Sequence, residues 1–237
     1  MSVKVAIVAA LEREVKPALK RWQMLDSEHE GRHFRFYEND CCVLVCGGIG
    51  VDAARRAAEL LITRYQPEII ISLGFAGALD ATMKIGDVFI PHRVTDAGDG
   101  STLEVEGGEG ELVTFASIAT AVQKAKLAAA YGAQAVDMEA AAVARAARLH
   151  GIRFEAVKAI SDDNNFEMPE LENFIKDGHF CMAGFVAHTL LRPWLWPGLV
   201  RLAKNSGRAT KTVCAWLDQY NKSSRVPGEY TTRIASN

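Results

Sequence analysis

Four acidic residues stand where an enzyme could use them. Asp162 directly follows the apolar run Phe154–Ile160, inside Ser161-Asp162-Asp163-Asn164-Asn165. Such a run reads as a buried strand, so Asp162 lies at a strand's carboxyl end. A carboxyl group desolvated there holds its proton more tightly and can donate it to a leaving group. The plainer use of Ser-Asp-Asp-Asn is a helix cap or an Asx turn. Glu139 follows Met138 at the head of an alanine-rich stretch, and Glu12 and Glu14 follow the first apolar run. For all three the plain alternative is a solvated acid in a helix's first turn, favoured by the helix dipole.

Two glycine-flanked segments add to these acids. Gly47-Gly48-Ile49-Gly50 and Gly74-Phe75-Ala76-Gly77 each follow an apolar run and read as turns. Turns of this kind expose backbone N–H groups to an anion or a sugar oxygen, or simply need glycine for a positive φ. Neither is G-x-G-x-x-G with an acid about 20 residues on, so a dinucleotide fold is not supported. The six histidines include one H-x-x-x-H pair, His29 and His33, and no H-x-H pair, and no two cysteines have C-x-x-C spacing to complete a ligand set. No metal site and no cofactor are therefore expected. The absence of G-x-S-x-G removes the serine hydrolase elbow.

The elements that must position these residues alternate between strand and helix. Val3–Ala9, His33–Tyr37, Cys41–Cys46, Glu68–Leu73, Gly86–Pro91, Glu111–Ser117 and Phe154–Ile160 read as strands. Leu11–Trp22, Asp52–Tyr65, Ala121–Tyr131 and Ala140–His150 read as helices, with Val136–Glu139 leading into the last and Gly132 ending the third. Asp96–Gly110 reads as a mobile loop, everything from about Leu171 as helical, and Asn221–Asn237 as a loose end. The pattern predicts an α/β fold, a single domain with a central mixed β-sheet flanked by helices. Ligands of such sheets bind beyond the carboxyl ends of the strands, where the acids and glycine segments fall.

The chain has 237 residues, a net charge of -2 and 49% hydrophobic residues. That suits one sizeable globular core and gives no electrostatic case for nucleic acid. The five cysteines, an odd number, and a first apolar run that passes straight into Glu12-Arg13-Glu14 point to a reduced, cytoplasmic setting. No stretch reaches the roughly 18 apolar residues of a membrane span.

Taken together, six segments resemble the nucleoside phosphorylase and nucleosidase superfamily. They are VAIVAALEREV (Val5–Val15), GGIGVDAA (Gly47–Ala54), IISLGFAGAL (Ile70–Leu79), KIGDV (Lys84–Val88), AVDMEAAAVA (Ala135–Ala144) and VKAISD (Val157–Asp162). The sequence looks most like the methylthioadenosine/S-adenosylhomocysteine nucleosidases. Residues 1–190 would be the catalytic domain and residues 191–237 a helical C-terminal extension packed on it. That extension, with GFAGAL, is similar to the hopanoid-associated branch, which is thought to take adenine from an adenosylhopane precursor.

The resemblance implies roles. Asp162 would protonate the purine N7 as the base leaves, through an oxocarbenium-like ribose. Glu14, rather than Glu12, would activate the attacking water. Glu139 would accept the ribose 2′ and 3′ hydroxyls, with Met138 under the sugar. Asp137, Phe75, Ala76, Gly77, Gly48, Ile49, Ser161 and Ile118 complete the expected substrate site. Phe75 and Gly47 stand where these nucleosidases usually have Ser, and Val113–Ala119 replaces an S-G-D-type base segment. No G-D-P-x-R phosphate signature is present, which favours hydrolysis. The alternatives are a phosphorylase, with Arg13, Arg55, Arg56 or Arg93 holding phosphate, and a catalytically silent nucleoside-binding protein. The expected partners are a small nucleoside and further copies of this chain. Trp194–Leu202 reads first as apolar residues packed on the domain or on a partner subunit, and alternatively as a candidate for peripheral membrane contact or for shielding a lipophilic 5′ group.

Overall fold

The computed structural model describes residues 4–29, 31–105, 107–167, 174–176, 179–181, 192 and 196–223. Its centre is β5 (Ile69–Ala78), ten residues of almost unbroken burial. On one side β5 pairs in parallel with β1 (Val5–Ala9) and on the other with β11 (Arg153–Asp162). Its carboxyl end also pairs antiparallel with β10 (Ala135–Asp137). Beyond β1 lie β4 (Cys42–Cys46), β3 (Arg32–Glu38) and β2 (Gln23–His29). Beyond β10 lie β9 (Glu111–Thr114), β7 (Arg93–Asp96) and β8 (Thr102–Glu104), and β6 (Val88–Phe89) pairs with β11. The sheet is mixed and helices flank it, as the alternation of elements predicts.

Alternation along the strands sorts the core into two faces. Ala6, Val8, Val43, Val45 and Ile70 belong to the cluster packed by α2 (Val51–Tyr65) and α4 (Ala140–Leu149). Val5, Ile7, Leu44, Ile71 and Leu73 belong to the opposite cluster. There α1 (Glu12–Val15) contributes Val15, and α5 (Trp196–Ser223) contributes Ala209, Val213, Trp216 and Leu217. A smaller cluster of Leu79, Val113, Leu127 and Val136 holds α3 (Ala121–Tyr131).

Several expectations are corrected here. The Leu11–Trp22 helix is two short pieces, α1 and a 3-10 turn over Ala18–Arg21, because Pro17 has no N–H to continue the ladder. Gly74–Gly77 is not a turn: β5 runs straight through it, paired throughout with β11. Val136 and Asp137, read as leading into a helix, end the strand β10, while the helix itself begins at Ala140 as expected. The Asp96–Gly110 loop contains β8. Polar, exposed Gln23–His29 is a strand because its whole length pairs with β3. Within the supposed helical region after Leu171, β12 (Ile175–Lys176) and β13 (His179–Phe180) form a hairpin. Of the loose end, Asn221–Ser223 closes α5 and the remainder lies outside the described residues, as do Trp194 and Leu195.

Gly47 marks the closest approach of β4's exit to α2. A Cβ there would lie 2.6 Å from Ala57 Cβ. Gly47→Ala is expected to destabilise the fold by about 1–3 kcal/mol, the usual cost of overpacking. Thermal unfolding of Gly47→Ala in wild-type and Ala57→Gly backgrounds checks this: the loss should be clearly smaller in the second.

Candidate active site

The site grows from a charge buried in an apolar strand. Lys158 lies in the middle of β11, opposite Gly74 of β5, with a fully enclosed side chain. Its Nζ meets Asp137 Oδ2 at 2.8 Å and donates to Ser72 Oγ at 3.0 Å. An isolated buried ammonium is costly, so this pairing is a condition of the fold. Asp137 is satisfied by further donors. Thr114 Oγ1 donates to its Oδ1 at 2.6 Å and the Ala140 N–H to its Oδ2 at 2.8 Å. Asp137 thereby fastens the first turn of α4, and its carboxylate is committed within the protein.

Glu139 is the residue before α4, yet its own side chain does not cap the helix. It turns instead to the β4–α2 connection, where Gly50 N–H donates to Oε1 at 2.8 Å. Gly50 has φ 95°, a conformation that favours glycine. Burial, then the Asp137 charge, push the Glu139 carboxyl up to about 7. The N–H groups of Gly47 and Gly48 are bonded to the Ala9 and Ala10 carbonyls. This glycine segment therefore braces Glu139 and does not offer those two donors to an anion. Ile49 is half-buried beside it, as is Met138 beside Glu139.

Glu14 comes from α1, after β1. It is 5% exposed, and its Oε2 is enclosed without a hydrogen-bond partner among the described residues. A Cβ on Gly74 would lie 3.0 Å from that oxygen, so the bare backbone of Gly74 makes room for it. Burial, then the neighbouring Glu139 charge, push the Glu14 carboxyl up to about 8. Glu12 is differently placed: Arg35 bonds it at 2.8 Å and Lys16 faces it at 3.4 Å. Its charge is balanced at the surface.

Asp162 is the last residue of β11 and is 4% exposed. Ser161 Oγ donates to its Oδ1 at 2.6 Å, and the Lys124 ammonium pairs with its Oδ2. The pairing register shifts between Ile160 and Asp162, which turns this last residue out of the regular alternation. Asp162 is paired with Gly77, while Lys158 is opposite Gly74. The two ends of the site are thus about 10 Å apart along β5, at roughly 3.3 Å per residue. Ala76 is buried, and Phe75 packs its ring toward the α5 side of the sheet. Ile118 is half-buried in the segment leading to α3.

Glu14, Glu139, Asp137 and Lys158 therefore form one cluster, and Asp162, Ser161, Gly77 and Lys124 another on the same two strands. Sequence reasoning missed both lysines. Lys158 had a signal, a lone charge inside an apolar strand run. Lys124 had none, since a lysine on a helix is ordinarily solvated. Of the arginines considered for phosphate, Arg55 bonds Glu59 and Arg93 bonds Glu111. No group of three or more His, Cys, Asp or Glu suited to a metal ion occurs among the described residues.

The sequence model of the phosphorylase superfamily matches residues 4–117 and 114–187. A 5′-methylthioadenosine/S-adenosylhomocysteine nucleosidase of Staphylococcus aureus (strain MRSA252) is 30% identical over 202 residues, covering 69% of this chain and 88% of that protein. The structure of such a nucleosidase from Colwellia psychrerythraea 34H, in complex with adenine, is 25% identical with TM-score 0.60, over 69% of this chain and 84% of that one. Futalosine hydrolase of Helicobacter pylori strain 26695 shares the fold at 18% identity, with TM-score 0.67 over 92% and 99% of the two chains. The match runs from β1 past the end of β11 and so takes in both clusters, and with it the chain belongs to the phosphorylase superfamily.

Proposed function

We propose that this protein hydrolyses the N-glycosidic bond of an adenosine-type nucleoside and releases adenine. The observation that carries the reading is Glu14, a buried carboxylate oxygen with no partner among the described residues, beside a second raised acid and a strand stripped of side chain at Gly74. A group so placed suits a base that takes a proton from water. Glu139 accepts the ribose hydroxyls, with Met138 against the sugar. Asp162 donates a proton to the purine as the C–N bond breaks, and its electron pair stays with the base. Water then adds to the oxocarbenium-like ribose as Glu14 takes its proton. Asp137 serves indirectly, by holding Lys158 and the start of α4. Ser161 and Gly77 shape the surroundings of Asp162, and Phe75, Ala76, Gly48, Ile49 and Ile118 form the walls. The relatives that act on methylthioadenosine and S-adenosylhomocysteine support the substrate class.

For the 5′ substituent we favour a lipophilic group, of which adenosylhopane is the extreme. Trp196 and Val200 at the start of α5 are 49% and 53% exposed, with Arg201 and Lys204 nearby. An apolar edge flanked by cations suits an apolar substrate at a membrane surface. No described helix is long and apolar enough to cross a membrane. Incubation with adenosine, methylthioadenosine, S-adenosylhomocysteine and a 5′-alkyl adenosine, with and without phosphate, tests these points. Free adenine without phosphate is expected, fastest from the 5′-alkyl substrate. A strict need for phosphate would make the protein a phosphorylase, and binding without release would make it a nucleoside-binding protein.

Asp162→Asn is expected to lower base release by about 10²–10⁴-fold while nucleoside binding is kept, since an amide supplies no proton. Asp163→Asn should be far milder, because the Asp163 carboxylate is half exposed and faces Arg201. Steady-state rates for the two variants, measured side by side, check the assignment.

The raised acids give a pH signature. Folded Glu14 and Glu139 bind their protons more tightly than the ordinary value of 4.5. Their contribution to stability is therefore complete below that value and is lost as pH rises through 7 and 8. The melting temperature should fall between pH 6 and pH 9, and Glu14→Gln should flatten part of that slope. Activity moves the other way, because the base works ionised: kcat/KM should climb toward pH 8 in the wild type, and the low residual rate of Glu14→Gln should lack that climb.

A further inference from the structure

Lys124 is among the most deeply buried charges in the molecule and has no part in the mechanism above. Its side chain is 2% exposed, and its Nζ pairs with Asp162 Oδ2 and donates to the Asp163 carbonyl at 2.6 Å. Its position is fixed from behind. Thr120 and Gln123 form a reciprocal capping box at the start of α3, and the Lys124 N–H donates to the Thr120 carbonyl at 2.8 Å. Across the pair, a Cβ on Gly77 would lie 2.8 Å from Asp162 Oδ2 and 3.2 Å from Lys124 Cε. Gly77 is not at positive φ, so its bareness serves space. A helix start, a stripped strand and two acceptors thus converge on one ammonium.

We propose that Lys124 is a positioning residue for base departure, acting through Asp162. This rests on the reading of Asp162 as the acid. When the C–N bond breaks, its electron pair moves to the base and the Asp162 carboxyl proton passes to the purine. Asp162 is left as a carboxylate, and the fixed Lys124 ammonium stabilises the charge that develops on it. The Ser161 hydroxyl does the same at Oδ1, as a neutral donor. A preorganised donor aimed at developing charge in a water-poor site acts more strongly than the same group in water. The plain alternative is that the pair only ties α3 to the end of β11.

A leaving-group comparison separates the two. Adenosine departs with proton help, whereas 4-nitrophenyl β-D-ribofuranoside releases a phenolate that needs none. In Lys124→Met, kcat on the adenine nucleoside should fall about 10²-fold with KM within about threefold, and the rate on the nitrophenyl riboside should fall less than about threefold. Lys124→Arg should restore part of the lost rate. An unchanged kcat, or equal losses on both substrates, overturns the proposal and leaves a structural tether. Should Lys124→Met not fold, Lys124→Gln, which keeps a donor for the Asp163 carbonyl without the charge, is read the same way. Failure of both to give native circular dichroism also decides for the tether. Wild-type protein that releases no base from any nucleoside overturns the hydrolase reading and this proposal together, whereas an active wild type with an indifferent Lys124 overturns this one alone.

Discussion

An ammonium placed inside an apolar sheet must find an anion, and Lys158 organises its surroundings through that need. It draws Asp137 to the end of β10 at 2.8 Å. Asp137 in turn has oxygen left over for the first N–H of α4 and for Thr114. Because Asp137 secures that helix start, Glu139 is released from capping and can reach Gly50 on the far side of the site. A pair of this kind adds little net stability against well-packed apolar residues, while removing one partner is costly. Its value lies in where it fixes the acids.

The two ends of the site use the same physical device for different purposes. Near Gly74, one lysine is shared among Asp137, Glu14 and Glu139. Asp137 takes its hydrogen bond, and the other two acids stay protonated to about 8 and 7, with burial as the main cause. Near Gly77, one lysine meets one carboxylate directly. The first holds an excess of acids over cations and the second a matched pair, the arrangements that the proposed proton uptake and proton donation would use.

The sequence made the scaffold legible where local rules and tertiary demand agree. The apolar runs of β1, β5 and β11, the helix α2, and α3 with Gly132 in a left-handed C-cap all stand close to where periodicity and capping place them. It misled where tertiary pairing overrides local preference. Gly74 and Gly77 look like turn residues, yet they are strand residues whose missing side chains make room for Glu14 and for Asp162 with Lys124. Polar Gln23–His29 has no apolar alternation to betray a strand. The acids were legible as a set through the family resemblance, whereas the lysines that govern them were not. A helical lysine gives no sign in one sequence that it points inward to a carboxylate 38 residues away.

The threefold pairing of β5 also bears on how chains of this architecture can diversify. The strand is bonded to β1 over Ile69–Leu73, to β10 at Gly77 and Ala78 and to β11 along its length, so one residue inserted between Gly74 and Gly77 would reverse its last side chains against β11 and β10 together. The one slip present, between Ile160 and Asp162, lies on β11, and β5 itself keeps the three-residue spacing from Gly74 to Gly77. Exposed side chains are found instead in the segment before α3 and at the start of α5. A designer varying this frame would begin at those exposed segments, where a substitution breaks no strand pairing.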